Sequence, residues 1–273
     1  MAVMTYTAFI EEQLRRASDI ALSHFGNVTS TVKPEDNNQV LTEADLAVGN
    51  YLVASVKKEY PEHNIIDEEA GVIDNGSCYT WVIDPIDGTA NFAAGLAEYG
   101  IMIGLLEDSR PIAGGIALPS QAKVYLAEKG HGATCNGEVI RATDEPLLSN
   151  VLVAFGVDGI PDEPEKNRQQ CEVLADLLPN IRNMRNSGSD AIDPVRIAEG
   201  KYGAKIEVYS KIWDNVAPQV ICEEAGAVWT SANGTPADYS NHLSRVNENF
   251  TYCAAPPQIH DQLQKIIAGR LKA

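Results

Sequence analysis

The chain has 273 residues, of which 44% are hydrophobic and 22% are charged, a composition typical of a globular protein with a large core. Its 38 acidic and 21 basic residues give a net charge of −17 at pH 7. Nucleic acids and anionic membranes are bound mainly through basic patches, so this charge argues against either as the main partner. A phosphorylated small molecule stays open as a ligand, because bound cations can reverse the sign of a site locally.

The targeting and redox signals are those of an intracellular protein. Residues 1–25 carry several charged side chains and lack the apolar core of a secretory signal. No stretch approaches the roughly 18 uninterrupted apolar residues of a membrane span. The five cysteines are scattered and form no close pair, which is typical of free thiols in a reducing compartment. We therefore expect a cytoplasmic protein.

The chain begins with two predicted helices. Apolar residues recur at helical spacing from Ile10 to Ala21, which predicts an amphipathic helix that ends near Gly26. Residues 27–40 are polar and rich in turn residues, which predicts a mobile loop. A second amphipathic helix follows and ends before Pro61.

Short strands separated by glycines dominate the next segment, up to Val139, and predict a largely antiparallel sheet. Asn136-Gly137 is a typical hairpin signal. The candidate strands are 65–66, 80–83, 100–106, 112–118 and 124–127.

Beyond Ser149 strands and helices alternate, which predicts a mixed sheet with crossover connections. The candidate strands are 151–155, 181–184, 204–208, 227–229 and 252–255. The candidate helices are 165–178, 189–199, 214–225 and a last one from about Ile259. Without an internal repeat or linker, we expect the approximate halves 1–145 and 146–273 to pack as one catalytic unit.

The most informative stretch runs from Trp81 to Phe92. An apolar run ends at Asp84, a proline turns the chain, and Asp87 follows three residues after Asp84. Both carboxylates and the Ile86 carbonyl between them can turn toward one hard cation, because oxygen ligands are what such cations prefer. This spacing predicts a divalent metal site.

Gly88 and Thr89 follow directly and open a short predicted helix, so their free amides could bind the oxygens of an anion. The alternative is a simple turn in which Asp87 caps the helix. Haloacid-dehalogenase-type phosphatases carry Asp-x-Asp-Gly-Thr after a strand, but here the two aspartates are three residues apart. The register does not fit that family, so we expect no phosphoaspartyl intermediate.

Three further acidic positions are notable, and two of them have two interpretations each. Glu68 follows a predicted strand and either belongs to a solvated acidic turn or completes a metal site. Asp45 forms a predicted capping box with Thr42. Asp214 opens a predicted helix, where it either caps the helix or ligates a second metal.

Together these segments resemble the inositol monophosphatase family, one of the lithium-sensitive, metal-dependent phosphomonoesterases that include fructose-1,6-bisphosphatases and bisphosphate nucleotidases. The resemblance runs from about residue 6 to about residue 270, and its most specific motif is Asp84-Pro-Ile-Asp-Gly-Thr-Ala-Asn-Phe92 with Trp213-Asp214 downstream. It implies an α/β (α+β) fold, a layered α-β-α-β-α sandwich of helices and two sheets.

The resemblance also implies roles for individual residues. Glu68 and Thr89 would orient and deprotonate the attacking water, with Asp45 supporting Thr89, and Lys33 would lie near the metals. Asp84 would bridge two cations. The implied metal ligands are Glu68, Asp84, the Ile86 carbonyl, Asp87 and Asp214. The implied substrate-binding residues are Asp87, Gly88, Thr89, Ser189, Asp190, Glu207 and Asp214.

One departure from the family pattern bears on the substrate. Asp190 occupies a position where inositol phosphatases commonly carry alanine near the sugar ring. An extra carboxylate there could hydrogen-bond a hydroxyl or an amine, or reject a second phosphate by repulsion. The metal chemistry does not depend on this position, but the choice of substrate does.

The sequence therefore predicts a phosphomonoesterase that uses Mg²⁺, about two or three per site with Mn²⁺ possible, and in which water attacks phosphorus in line. A small phosphorylated polyol or sugar is the expected partner, with inositol monophosphate first. Fructose 1,6-bisphosphate, histidinol phosphate and 3′-phosphoadenosine phosphates are the alternatives. The resemblance implies lithium inhibition and a homodimer. A metal-binding regulator without catalysis is the hypothesis from another class.

Overall fold

The computed structural model describes residues 5–26, 30–32, 40–157, 159, 163–267 and 269–270. Its helices there are α1 (Tyr6–His24), α2 (Glu43–Glu59), α3 (Thr89–Ala93), α4 (Pro164–Leu177), α5 (Ile192–Ala198), α6 (Val216–Glu224) and α7 (Pro257–Ile267). Its strands are β1 (Ser30–Val32), β2 (Val40–Thr42), β3 (Asn64–Asp67), β4 (Gly71–Ile73), β5 (Tyr79–Asp87), β6 (Gly100–Glu107), β7 (Arg110–Leu118), β8 (Lys123–Glu128), β9 (Ala133–Cys135), β10 (Glu138–Ile140), β11 (Leu152–Phe155), β12 (Asn183–Arg185), β13 (Ala204–Glu207), β14 (Val228–Thr230) and β15 (Tyr252–Ala255).

The strands form two large sheets and one short hairpin. The first large sheet has the order β10-β9-β8-β7-β6-β5-β3-β4 and is antiparallel except where β3 pairs with β5. The second has the order β12-β11-β13-β15-β14, in which β11 runs parallel to β12 and to β13. One sheet is thus largely antiparallel and the other mixed, as the glycine-rich and alternating patterns predict.

The apolar contacts stack these elements in five layers. Helices α1 and α2 pack on one face of the eight-stranded sheet. Helices α5 and α6 lie between its other face and the five-stranded sheet. Helices α4 and α7 cover the outer face of the five-stranded sheet. The predicted α-β-α-β-α sandwich is confirmed.

Close approach fixes where α6 lies on the eight-stranded sheet. A Cβ atom at Gly104 of β6 would lie 2.6 Å from Cγ1 of Val216, and one at Gly114 of β7 would lie 2.8 Å from Cα of Ala217. Only glycine lets the backbones meet at this distance. The start of α6, and the turn before it, are therefore held directly against the centre of the sheet.

Three local expectations need correction. The polar segment 27–40 is not all loop, because Ser30–Val32 pairs with Val40–Thr42 as antiparallel strands. Its predicted mobility, and Lys33, lie outside the described residues. The helix predicted from 189 begins at Ile192, since the preceding amides bind a side chain instead. The helix predicted from 214 begins at Val216, after a 3₁₀ turn at Ile212–Asp214.

The Asn136-Gly137 hairpin forms as predicted. Both residues have positive φ, 49° and 83°, which is the backbone of a type I′ turn between β9 and β10. No helix in the described part of the chain is both long and apolar enough to cross a membrane.

Candidate metal centre and catalytic cavity

A break in one strand ladder presents the first two carboxylates. β5 pairs with β6 in regular register as far as Asp84, the register then shifts, and pairing resumes at Asp87 opposite Gly100. An irregularity of this kind bends the strand and re-aims its side chains. Asp84, Ile86 and Asp87 are all buried at this point.

Asp214 joins them from the other half of the chain. It ends the 3₁₀ turn Ile212–Asp214, and its Oδ2 accepts a 2.6 Å hydrogen bond from the Lys211 amide. The helix α6 begins two residues later without a side-chain cap, so Asp214 does not act as the N-cap of that helix. One carboxylate oxygen from each of Asp84, Asp87 and Asp214 lies within 4.8 Å of the others. We call these three residues the acidic trio.

The electrostatics of the acidic trio are unfavourable in the protein alone. Burial, followed by repulsion from Glu68 and from the other two members, raises the pKa of Asp84 well above its usual range. Burial, followed by repulsion from Asp190 and Asp87, does the same to the pKa of Asp214. Burial and Asp190 raise the pKa of Asp87 to about 7, although three hydrogen bonds oppose the change.

A hard divalent cation fits this arrangement. Oδ1 of Asp84 is buried and has no hydrogen-bond partner among the described residues. A buried carboxylate oxygen without a donor is costly unless a cation or proton satisfies it. Carboxylates and a backbone carbonyl are also the ligands that Mg²⁺ prefers. The residues present therefore suit the metal that the sequence predicts.

Glu68 approaches the acidic trio from the neighbouring strand. Asp67, the last residue of β3, pairs in parallel with Ile83 of β5, so the carboxyl ends of both strands meet at one edge. The Glu68 amide donates to the Ile83 carbonyl at 3.2 Å, which holds the turn against β5. Glu68 lines the same cavity as the acidic trio but is not one of the three closest carboxylates.

A hydrogen bond links Thr89 to Asp45 at the edge of the cavity. The Thr89 hydroxyl lies 2.8 Å from the Ile86 carbonyl and 3.3 Å from Oδ1 of Asp45. Oδ2 of Asp45 accepts from the amide and the hydroxyl of Thr42, at 2.8 and 2.5 Å, which completes the predicted capping box. Asp45 therefore both caps α2 and holds Thr89, so its two interpretations are compatible.

The turn before α5 binds Asp87 through three hydrogen bonds. The Ser189 hydroxyl donates to Oδ2 of Asp87, and the amides of Asp190 and Ala191 donate to its two oxygens at 3.0 and 2.8 Å. These donors lie more than 100 residues after Asp87 in the sequence. Asp87 consequently ties the eight-stranded sheet to the middle helix layer.

The predicted site residues surround one cavity of about 220 Å³. Within the described ranges, every predicted site residue lines it except Asp45, which lies behind Thr89. They are Glu68, Asp84, Ile86, Asp87, Gly88, Thr89, Ser189, Asp190, Glu207 and Asp214. Gly88 has φ 78°, and a Cβ there would lie 2.8 Å from the Glu98 carbonyl, so glycine is required at this turn.

Sequence reasoning missed the residues behind the substrate side of the cavity. Lys205 is only 1% exposed, and its Nζ lies 2.9 Å from Glu207, 3.3 Å from Asp193 and 3.5 Å from Asp190. The Tyr252 hydroxyl donates to Oδ1 of Asp190. Although burial acts to lower it, these carboxylates raise the pKa of Lys205 well above its usual value. The available signal was strand alternation, since Lys205 and Glu207 are two residues apart on β13.

A second cavity, of about 470 Å³, lies beside the first and shares Tyr209 with it. Polar and aromatic side chains such as Asn249, Tyr239 and Phe250 line it, and no member of the acidic trio does. The predicted metal ligands therefore belong to the smaller cavity.

Comparison with known proteins finds related sequences along nearly the whole chain. The sequence profile of the inositol monophosphatase family matches residues 3–269. The chain is 31% identical over 212 residues to a fructose-1,6-bisphosphatase/inositol-1-monophosphatase of Aquifex aeolicus, covering 76% of this chain and 78% of that one. It is 30% identical to the Nus factor SuhB of Xylella fastidiosa, covering 93% and 91%.

A solved structure shows the same architecture. The inositol monophosphatase of Anabaena (Nostoc) sp. PCC 7120 superposes with a TM-score of 0.83 at 25% identity, covering 98% of this chain and 97% of that one. A profile match over nearly the whole length and a shared fold lead to one conclusion. The chain belongs to the inositol monophosphatase family, a family of phosphatases.

Proposed function

We propose that the protein is a Mg²⁺-dependent phosphomonoester hydrolase acting on a small phosphorylated polyol or sugar, with inositol monophosphate as first-choice substrate. The observation that carries the proposal is the acidic trio, whose oxygens lie within 4.8 Å of one another. The turn at Gly88 and Thr89 borders the same cavity, and turns of this kind bind phosphate oxygens through their amides. Cation ligands beside an anion site suit phosphoryl transfer.

The cation ligands would be Glu68, the acidic trio and the Ile86 carbonyl, with Asp84 bridging. About two or three Mg²⁺ ions per site, or Mn²⁺ in their place, match this set of oxygens. When bound, such cations neutralise the charge of the phosphate and lower the pKa of the attacking water.

The remaining residues position the reactants. Glu68 and Thr89 orient and deprotonate the water, and Asp45 holds the Thr89 hydroxyl in place through its Oδ1. The amides of Gly88 and Thr89 hold phosphate oxygens. Water attacks phosphorus in line with the leaving oxygen, so no covalent phosphoenzyme forms.

The leaving group would lie against Ser189, Asp190 and Glu207, which line the same cavity. The Aquifex relative is a fructose-1,6-bisphosphatase/inositol-1-monophosphatase, so both fructose 1,6-bisphosphate and inositol 1-phosphate belong in the substrate panel. Histidinol phosphate and 3′(2′),5′-bisphosphate nucleotides are the other candidates from the family resemblance.

Family membership also motivates four finer proposals. We propose that Li⁺ inhibits the enzyme, that it acts as a homodimer, that it works in the cytoplasm, and that residues 1–273 form one catalytic unit. Sedimentation with and without Mg²⁺ measures the oligomeric state, and limited proteolysis tests whether residues 1–273 form one unit.

A regulator without catalysis is the competing function. The name Nus factor carried by the Xylella relative raises it, and it bears on our expectation that nucleic acid is not a main partner. The complete acidic set favours catalysis, because a protein that no longer hydrolyses phosphate esters has no need of Glu68, Asp87 and Asp214 together. Measuring how tightly the wild type and an inactive variant each bind RNA separates a catalytic from a regulatory role.

The deciding experiment measures phosphate release from the substrate panel with Mg²⁺, with and without Li⁺, for the wild type and Asp87→Asn. We expect Asp87→Asn to lose at least about a hundredfold in kcat on every substrate. Asp176→Asn on α4 makes the same chemical change outside the cavity and is the matched control. Unchanged phosphate release by Asp87→Asn would show that the site is assigned wrongly. Trapping an acid-stable phosphoaspartate during turnover would overturn the mechanism.

A further inference from the structure

At the substrate side of the cavity lies a group of polar and charged residues of which the proposed mechanism uses only Asp190 and Glu207. It consists of Asp190, Asp193, Lys205, Glu207 and Tyr252, and we call it the Lys205 network. Lys205 and Glu207 project from the same face of β13, and Tyr252 lies directly opposite Glu207 in the β13–β15 register. Asp190 and Asp193 reach the same place from the beginning of α5.

One cation serves three carboxylates in this network. Nζ of Lys205 lies 2.9 Å from Oε2 of Glu207, 3.3 Å from Oδ2 of Asp193 and 3.5 Å from Oδ1 of Asp190. Tyr252 adds one neutral donor, to Oδ1 of Asp190. Three carboxyl groups of the Lys205 network thus share one ammonium group.

Only part of the network faces the cavity. Asp190, Lys205 and Glu207 line it, whereas Asp193 is fully buried and does not. The chain makes room for the second carboxylate, because a Cβ at Gly156 would lie 1.7 Å from Oε2 of Glu207. The other lysine of the cavity, Lys211, is turned away to the Asn247 carbonyl at 2.6 Å.

We propose that Lys205 is a positioning residue that holds the carboxylates of Asp190 and Glu207 as a specificity wall for the leaving group. This inference rests on the proposed function, whose substrate class it narrows. Carboxyl oxygens accept hydrogen bonds, so the wall selects leaving groups that carry hydroxyl or ammonium donors. It rejects a leaving group that carries a second phosphate, because like charges repel strongly in a shielded cavity.

Four phosphoesters separate these properties in the wild type. p-Nitrophenyl phosphate has no donor on its leaving group, inositol 1-phosphate has hydroxyls, histidinol phosphate has an ammonium group, and fructose 1,6-bisphosphate has a second phosphate. We expect kcat/KM for fructose 1,6-bisphosphate to be at least about tenfold below that for inositol 1-phosphate. The inositol and histidinol esters tell hydroxyl from ammonium recognition.

Asp190→Ala removes one carboxylate of the wall and keeps the amide that binds Asp87. We expect KM for inositol 1-phosphate to rise about tenfold with kcat nearly unchanged, since one charge-assisted hydrogen bond is lost. The kcat/KM for p-nitrophenyl phosphate should fall less than that for inositol 1-phosphate, and that for fructose 1,6-bisphosphate should increase. An equal loss on all four esters would overturn the proposal, because it would mean that Asp190 serves the metal centre through Asp87.

Lys205 itself is tested with a double variant that leaves the net charge of the network unchanged. The double variant Lys205→Met/Asp193→Asn removes the lysine together with the carboxylate that does not line the cavity. We expect it to reproduce the KM increase for inositol 1-phosphate, about tenfold, while p-nitrophenyl phosphate hydrolysis is retained. Tyr252→Phe keeps the ring that stacks on Trp229 at 4.2 Å and removes only the donor to Asp190, so its KM effect is smaller.

Lys201→Met is the matched control, because Lys201 pairs with Glu199 outside the cavity and is half exposed. Calorimetric titration with myo-inositol measures binding to the wall without turnover. We expect equal affinity in the wild type and in Lys201→Met, and an affinity about tenfold weaker in Asp190→Ala. Absence of phosphate release from every ester would refute the proposed function, and inositol binding would still decide this inference. Equal inositol affinity in Asp190→Ala and wild type would refute the specificity wall.

Discussion

Two groups of charged side chains lie at the two ends of α5. They differ in whether cationic side chains accompany the carboxylates. Before the first residue of α5, the turn at 189–191 grips Asp87 of the acidic trio. At its last turn, Glu199 accepts hydrogen bonds from Lys123, Lys201, Arg196 and Tyr125. We call these five residues the Glu199 cluster.

The consequences for ionisation differ in sign. In the acidic trio burial and mutual repulsion raise the pKa values, and Oδ1 of Asp84 has no donor within the described ranges. In the Glu199 cluster burial also acts to raise the pKa, but the hydrogen bonds from Lys123, Lys201 and Arg196 hold the pKa of Glu199 at about 2. The first group needs a cation from solution, whereas the second contains its own.

The largest effect that separates the two groups is expected from Asp84→Asn. Losing the proposed bridging ligand lowers kcat at least about a hundredfold. The same change removes a buried carboxylate that its acidic neighbours repel. The free energy of unfolding of the metal-free variant should therefore exceed that of the metal-free wild type by about 1–3 kcal/mol. Phosphate release and urea unfolding in a chelator measure both. A destabilised metal-free variant would mean that the trio is a structural hydrogen-bonding group.

Cation binding gives the next effect. At 100 times its Kd, Mg²⁺ should stabilise the wild type by about 2.7 kcal/mol, which corresponds to a rise in Tm of roughly 5–10 °C. Asp214→Asn should weaken this response, while Glu199→Gln should keep it. Thermal unfolding across a Mg²⁺ titration, with a chelator-treated reference, makes the comparison. An equal Mg²⁺ response in Asp214→Asn would exclude that residue as a ligand.

Neutralising the second group should act in the opposite direction to Asp84→Asn. The Glu199 side chain is only 9% exposed, so Glu199→Gln leaves three cations crowded without their partner. We expect a loss of about 2 kcal/mol in the free energy of unfolding, with kcat within about twofold of the wild type. Urea unfolding and phosphate release test this. A large loss of kcat at full stability would link α5 to the chemistry beyond Asp87.

The smallest effect is a difference in pH dependence. The pKa of Glu199 falls from 4.5 to about 2 on folding, so its stabilisation is complete above the unfolded value and is lost as the pH falls toward 2. The stability gap between the wild type and Glu199→Gln should therefore close between about pH 4.5 and pH 2. For metal-free Asp84→Asn the gap should instead widen as the pH rises above about 4, because the folded pKa of Asp84 is raised.

Local patterns predicted the elements that carry the site. Strand periodicity and the Asp84–Asp87 spacing identified β5 and its turn, and the capping box at Thr42 and Asp45 forms as expected. Helix starts were less predictable. α5 begins three residues later than expected, because the amides of Asp190 and Ala191 bind Asp87 rather than extending the helix.

The sequence by itself determined the order of helices and strands and a specific motif, because periodicity and motifs are local properties. The layered fold, the family and the residues around the cavity followed from the resemblance that this motif carries. The tertiary structure decided how those residues meet. Asp214 reaches Asp84 because α6 packs on two glycines of the sheet. The Lys205 network assembles from one helix and two strands of the second half, and no local pattern reports charges that are brought together only by packing.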